Sequence, residues 1–216
     1  MEQKTQESKK GIGASLLRRE DGRYLSGKGR FIADMRFPGM LEMAFYRSPA
    51  AHARIERITK PTRHAGHVFT AADLTGVEGI RADSGLPGFR SSVLPILASE
   101  KVRHVGEPIV ACLAETRAEA EDIVDLVEVE LVDLPAVHEM TTALDADAPL
   151  VHDHWDKNAF LETEADTNFE EARKDAAAVV KRTYRTARQC MAPIEGRGVI
   201  ACWDNQLELL TLHSAT

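Results

Sequence analysis

Two segments in the first third of the chain alternate apolar and polar positions. Residues 40–46 place Leu41, Met43 and Phe45 on one face, which predicts a β-strand because successive side chains of a strand point to opposite faces. Residues 53–58 predict a second strand after a break. The chain therefore begins its regular structure with strands.

The most regular pattern covers residues 106–134. Residues 109–114 form a continuous apolar run, which is typical of a strand buried on both faces. Thr116 and Glu119 have the spacing of a helix capping box. The residues that follow show the apolar spacing of one helix face: Ala120, Ile123, Val124 and Val127. The period then returns to two, so this region predicts a strand–helix–strand unit.

The remaining segments are less regular. In the first half we expect extended segments and turns over 11–36, a loop over 59–66, one helical turn over 71–74 and a long connection over 76–95. In the second half the pattern predicts a helix capped by Asn168 and three strands, Val179–Thr186, Gly198–Trp203 and Leu207–Leu212. The last two strands are separated by the turn-forming residues 204–206, which predicts a hairpin.

Composition narrows the class of protein. The chain has 216 residues and a net charge of −7, and residues 115–133 alone, with eight acids and one base, sum to −7. The absence of a basic stripe excludes a nucleic-acid partner. Three cysteines without metal-ligand spacing predict neither disulfides nor a zinc or iron–sulfur site, and we expect Cys112 to be a small core residue in a cytoplasmic protein. Residues 1–10 are polar and predict a flexible tail. No apolar run has the about 20 residues that a membrane-spanning helix needs.

Two groups of polar residues are candidates for chemistry. His152, Asp153 and His154 are either part of a solvated connector or ligands of a metal site. Glu195 and Arg197 lie between a proline and a glycine just before an apolar strand. They are either a structural ion pair or backbone hydrogen-bonding groups at a domain junction, or they shape a cofactor or substrate pocket. The residues alone predict an α+β protein and leave its function open.

Several motifs resemble the large, molybdopterin-binding subunit of the xanthine dehydrogenase, aldehyde oxidase and carbon monoxide dehydrogenase family. They are Arg18–Asp21 with Gly27–Phe31, Arg47–Ile55, Pro95–Thr116 and Leu134–Val137. The resemblance implies an α/β hammerhead domain over 11–140, followed by a connector over 141–164. Residues 59–67 are shorter than the family's usual linker, so its helix is expected to be missing.

Residues 165–216 resemble the opening of the molybdopterin-binding domain of the same family. The matching parts are Phe169–Val180, Ala192–Gly198, Trp203–Asp204 and His213–Thr216. Gly196 stands where the family commonly has proline. The implied fold class is α+β: a hammerhead domain followed by an incomplete, truncated α+β molybdopterin-binding domain.

The resemblance implies the N-terminal portion of a molybdenum hydroxylase large subunit. Such an enzyme hydroxylates an aldehyde or N-heterocycle with oxygen from water, using molybdopterin, 2Fe-2S clusters and FAD in the complete complex. We expect no catalytic or metal-binding residue in this chain, with Glu195 and Arg197 as its only candidate pocket residues, and no turnover by the chain alone. Expected partners are the remainder of the subunit, an iron–sulfur subunit and a FAD subunit, in an oligomer. The alternative is a stand-alone hammerhead-type binding or assembly module without molybdenum chemistry.

Overall fold

The structure is a computed structural model that describes residues 11, 12, 14, 16–163 and 167–215. The predicted tail over 1–10 lies outside the described residues. Packing divides the chain into two units. One unit is Gly39–Val180, and the other, called the terminal unit below, combines the described residues up to Pro38 with those from Lys181 onward. The predicted boundaries at 140 and 165 stay a prediction.

The regular elements are short. The strands are β1 (Glu42–Arg47), β2 (Ala53–Thr59), β3 (Val68–Phe69), β4 (Ile80–Arg81), β5 (Val93–Leu94), β6 (Lys101–Val102), β7 (Pro108–Ala114), β8 (Glu128–Asp133), β9 (Val199–Asp204) and β10 (Leu209–Ser214). The helices are α1 (Asp21–Leu25), α2 (Arg117–Asp125) and α3 (Phe169–Lys174), with 3₁₀ turns at Ile32–Asp34, Thr62–His67 and Ala71–Asp73. Within the described residues, no helix has the length and apolarity needed to cross a bilayer.

Two antiparallel three-stranded sheets and a two-stranded ribbon organise the unit 39–180. One sheet has the order β1-β7-β3, the second has the order β6-β2-β8, and β4 pairs with β5 in the ribbon. The predicted strand–helix–strand region is confirmed, and its two strands lie in different sheets. Helix α2 packs against β1 and β7.

Strand β7 supplies the centre of the core. Ile109, Val110 and Cys112 are fully buried, as the continuous apolar run predicts. Burial raises the pKa of the Cys112 thiol, which fits a small core residue. The capping box is also confirmed, because Glu119 N donates to Thr116 Oγ1 and Thr116 N donates to the Glu119 carboxylate, both at 3.2 Å. The local pattern therefore determines how this helix begins.

Strand β1 shows the predicted alternation, but its larger apolar side chains are on the more exposed face. Ala44 and Tyr46 pack against the core, whereas Met43 and Phe45 are 51% and 37% exposed. The small Ala44 suits the face that β1 shares with the covering helix α2, because small side chains let two elements approach closely. The opposite face of the sheet thus presents apolar area.

A β-hairpin dominates the second half of the terminal unit. Strands β9 and β10 pair from Asp204 opposite Leu209 to Ser214 opposite Val199. The turn is Asn205–Glu208, longer than predicted, and it starts where Asp204 Oδ1 accepts from Gln206 N at 2.8 Å and from Leu207 N at 3.0 Å. This aspartate turn moves the second strand two residues toward the C-terminus.

Four expectations from the sequence need correction. Val179–Thr186 is irregular and exposed, because no described strand pairs with it and an unpaired strand lacks its hydrogen-bond ladder. Residues 11–36, expected to form extended segments and turns, also contain the helix α1. The expected loop over 59–66 contains the turn Thr62–His67, and the expected connection over 76–95 contains the β4–β5 ribbon. The helical elements among them have at most six residues and the ribbon strands have two each, which is too short to show the period of a helix or of a strand.

Two helix predictions hold in outline. The helical turn expected over 71–74 is the 3₁₀ turn Ala71–Asp73. The helix expected after Asn168 is α3, but the Asn168 side chain makes no capping hydrogen bond. Its backbone carbonyl instead accepts from Glu171 N at 3.1 Å and from Ala172 N at 2.9 Å.

Candidate functional site

The motifs that carry the family resemblance meet through backbone hydrogen bonds. Ser48 N donates to the carbonyl of Glu107 at 2.9 Å, and Gly106 N donates to the carbonyl of Ser48 at 2.8 Å. Nearby in sequence, the Nδ1–H of His52 donates to the carbonyl of Pro135 at 2.7 Å. Ser48 and His52 are nearly fully buried. These motif residues therefore connect segments of the fold, a structural role that explains their spacing.

Glu107 is a buried carboxylate that the sequence pattern did not single out. It is 1% exposed, and one of its oxygens accepts from Arg103 N at 2.5 Å. The Arg103 guanidinium lies 3.6 Å from its other oxygen. A buried carboxylate needs such partners to offset the loss of hydration. The only signal for it in the sequence is an acid placed directly before a long apolar run.

The histidine pair of the predicted connector is divided between two environments. The ring of His152 stacks on Trp155 with centroids 4.4 Å apart, and burial, with a further contribution from Arg103, lowers the pKa of His152. Between the two histidines, the Asp153 carboxylate accepts from Lys101 Nζ at 2.6 Å. Among the residues that the structure describes, no three His, Cys, Asp or Glu side chains are grouped to hold a metal. The described contacts of this segment are thus a ring stack and an ion pair.

The Lys101–Asp153 ion pair is asymmetric. The Lys101 side chain is 10% exposed, whereas that of Asp153 is 79% exposed. The hydrogen bond from Lys101 lowers the pKa of Asp153. A buried ammonium without a partner is costly, so Asp153 ties the connector to the end of β6.

Glu195 and Arg197 have different surroundings. Glu195 is half-buried, and its Oε1 accepts from Ile32 N at 2.8 Å within the terminal unit. Arg197 is exposed, and the ion pairs of the described residues do not join it to Glu195. Gly198 fits closely against the same turn, since a Cβ at that position would lie 3.0 Å from Ile32 Cγ2. Glu195 thus links the segment before β9 to the 3₁₀ turn Ile32–Asp34.

A pocket of about 400 Å³ lies in the unit 39–180, between the β4–β5 ribbon and the connector. Its lining is rich in aromatic rings: Phe89, His152, Trp155 and Phe160 with Ala82, Arg90, Ser92, Val151 and Asn158. The Arg90 guanidinium pairs with the Asp156 carboxylate, and Arg90 N donates to the Phe160 carbonyl at 2.7 Å. Sequence reasoning missed this pocket, because its two sides are some 60 to 70 residues apart in the chain.

The comparison with protein families is decisive for the fold. Residues 26–135 match the sequence model described as "Aldehyde oxidase and xanthine dehydrogenase, a/b hammerhead domain". This chain belongs to that family. The match covers half of the chain and includes both three-stranded sheets of the unit 39–180.

Individual relatives extend the similarity over nearly the whole chain. The large subunit of nicotine 6-hydroxylase from Paenarthrobacter nicotinovorans is 35% identical over 213 residues, which are 95% of this chain and 26% of the relative. The structure of quinoline 2-oxidoreductase from Pseudomonas putida 86 is similar with a TM-score of 0.85 and 37% identity, over 97% of this chain and 27% of that chain. A Cu,Mo-CO dehydrogenase structure gives a TM-score of 0.76 and 27% identity, over 94% and 27%.

The chain spans about a quarter of the length of the first two curated relatives it matches. The two residues predicted from the sequence as pocket residues have different contacts in the structure. The carboxylate of Glu195 is occupied by a backbone amide, and Arg197 is a single exposed guanidinium. Glu195 therefore makes a backbone contact within the terminal unit, and a pocket role for Glu195 and Arg197 stays a prediction.

Proposed function

We propose that this chain is the N-terminal scaffold portion of a molybdenum hydroxylase large subunit. The complete enzyme would hydroxylate an aldehyde or N-heterocycle with oxygen from water, and the relatives named for nicotine and quinoline favour an N-heterocycle. The observation that carries the proposal is the similarity to quinoline 2-oxidoreductase over 97% of this chain at a TM-score of 0.85.

In this proposal the chain supplies structure, and neither a metal ligand nor a catalytic base. Glu195 positions the segment before β9 by accepting from Ile32 N, and the buried Glu107 fixes the turn before β7. Molybdopterin, 2Fe-2S clusters and FAD would be held by the remainder of the large subunit and by separate iron–sulfur and FAD subunits, in the cytoplasm. The chain alone would not turn over.

The exposed apolar surface of the hairpin β9–β10 supports the proposal that a partner covers it. Its strands expose large apolar side chains, which a free domain normally buries: Val199, Trp203, Leu209, Leu210 and Leu212 are each more than half exposed. A two-stranded hairpin alone is marginally stable in water. We propose that the remainder of the family's large subunit packs on this hairpin, and that without it the chain self-associates.

Co-expression tests the proposal. An affinity-tagged copy of this chain is produced with the remainder of a family large subunit and with its iron–sulfur and FAD subunits, and separately without them. We expect the tagged chain to retain the flavin and iron–sulfur absorbance, and quinoline hydroxylation with label from ¹⁸O-water, only in the first preparation. Recovery of the chain alone as a monodisperse monomer that ignores the other subunits would support the stand-alone module and contradict the proposal.

A further inference from the structure

The aromatic pocket between the β4–β5 ribbon and the connector has two pairs of contacting rings in its lining. Phe89 and Phe160 meet edge to face, with centroids 6.1 Å apart. Trp155 and His152 lie in a tilted stack, with centroids 4.4 Å apart. Aromatic rings bind other flat rings through offset stacking and edge-to-face contacts. The lining therefore favours a flat guest over a branched or saturated one.

The charges around the pocket are already neutralised. The Arg90 guanidinium, the one permanent charge in the lining, is paired with Asp156, and this hydrogen bond lowers the pKa of Asp156. Burial lowers the pKa of His152, which favours the uncharged form of its ring. A charged guest would lose its hydration here without a free counter-charge in the described lining. An uncharged guest has no such penalty.

The pocket also offers polar atoms and a fixed shape. Neither the Ser92 hydroxyl nor the ring nitrogens of His152 hydrogen-bond to another described residue, so both are available to a guest. The Asn158 side chain holds the connector side, donating to the carbonyls of Ala143 at 3.1 Å and Pro149 at 2.8 Å and accepting from Val151 N at 3.0 Å. A pre-organised wall reduces the entropy lost on binding.

From this geometry we propose that the pocket binds an uncharged, planar aromatic or heteroaromatic small molecule. The guest stacks among Phe89, Trp155 and Phe160, and a ring nitrogen or carbonyl on it hydrogen-bonds to His152 or Ser92. The volume of about 400 Å³ is within the range of small-molecule sites. This inference does not depend on the proposed function, because it rests on the lining of this chain alone.

The chain contains its own control for a binding experiment. It has two tryptophans: Trp155 lines the pocket, and Trp203 lies in the terminal unit, where its Nε1–H donates to Asn205 Oδ1 at 2.8 Å. The experiment follows the two indole N–H signals in a ¹H–¹⁵N spectrum of the full chain and assigns them with Trp203→Phe. Quinoline is the probe. N-methylquinolinium, with the same rings and a permanent charge, and cyclohexanol, which is uncharged and not flat, are the controls.

We expect quinoline to shift the Trp155 signal saturably and to leave the Trp203 signal in place, while the two controls cause no saturable shift. Phe89→Leu should weaken quinoline binding about tenfold through loss of a ring contact, whereas Phe45→Leu, an exposed phenylalanine on β1, should not change it. A dispersed spectrum shows that each variant is folded. Parallel drift of both indole signals, no shift up to the solubility limit of quinoline, or equal effects of the two leucine variants would overturn the proposal.

Discussion

Replacing Asp73 with asparagine tests the 3₁₀ turn Ala71–Asp73, which follows β3, and its ion pair with Lys60, the residue directly after β2. The Asp73 carboxylate accepts from Lys60 Nζ at 2.7 Å, from Thr70 N at 2.6 Å and from the Thr70 hydroxyl at 2.7 Å. Asparagine keeps an oxygen that can accept from Thr70 but removes the charge. The variant therefore isolates the ion pair with Lys60 from the cap of the 3₁₀ turn.

The magnitude follows from the pKa of Asp73. The bond from Lys60, followed by the two from Thr70, lowers this pKa from 3.8 to about 2. If the pKa of Asp73 is lower by nearly two units in the folded state than in the unfolded state, its ionisation adds at most about 2.4 kcal/mol to the free energy of unfolding. The Asp73 side chain is 35% exposed, so solvent screens the pair, and we expect about 1 kcal/mol. Because the folded pKa is lowered, this stability is complete above the unfolded pKa and declines as the pH falls toward 2.

Urea unfolding at pH 7 and pH 3 measures this effect, with Trp155 as the reporter of the unit 39–180 in a Trp203→Phe background. At pH 7, Asp73→Asn should lower the free energy of unfolding by about 1 kcal/mol, and about half of that difference should be gone at pH 3. Lys60→Met should give a similar loss, and the double variant little more than either single one. Equal stability of the variant and the parent at pH 7, or the same difference at both pH values, would refute the reasoning.

Three further substitutions test the packing. Ile109→Ala, at a fully buried position of β7, should lower the free energy of unfolding by about 3 kcal/mol in the same assay, and a loss below about 1 kcal/mol would contradict the assigned core. Thr116→Ala removes the oxygen that accepts from Glu119 N and should cost about 1 kcal/mol, while a neutral result would mean that the capping box does not stabilise α2. Gly198→Ala crowds Ile32 and should speed hydrogen exchange at the Ile32 amide; unchanged exchange would show that the contact is loose.

The elements that the sequence predicts well are those determined by neighbouring residues. Thr116 and Glu119 are three residues apart, so their capping box can be recognised from the sequence alone. The apolar run of β7 is long enough to indicate a buried strand by itself. For such segments, local propensity and final packing agree.

The elements that the sequence misses depend on distant partners. Residues 179–186 have strand-like composition, but strand geometry needs a neighbouring strand, and no described one pairs with them. The aromatic pocket needs Phe89 and Phe160 to meet across 71 residues, and the Glu195–Ile32 bond spans 163 residues. No local pattern contains that information. The sequence offers Glu195 as a candidate pocket or hydrogen-bonding residue, and only the fold shows which backbone amide it binds.

The molybdenum content of purified protein tests the central claim most directly. Elemental analysis by plasma mass spectrometry gives the molar ratio of molybdenum to this chain, first for the chain produced alone and then for the chain purified with the remainder of the large subunit and its partner subunits. The proposed scaffold role predicts a ratio near zero for the chain alone and near one for the complex. A ratio near one for the chain alone, or near zero in a complex that has formed, would contradict that role.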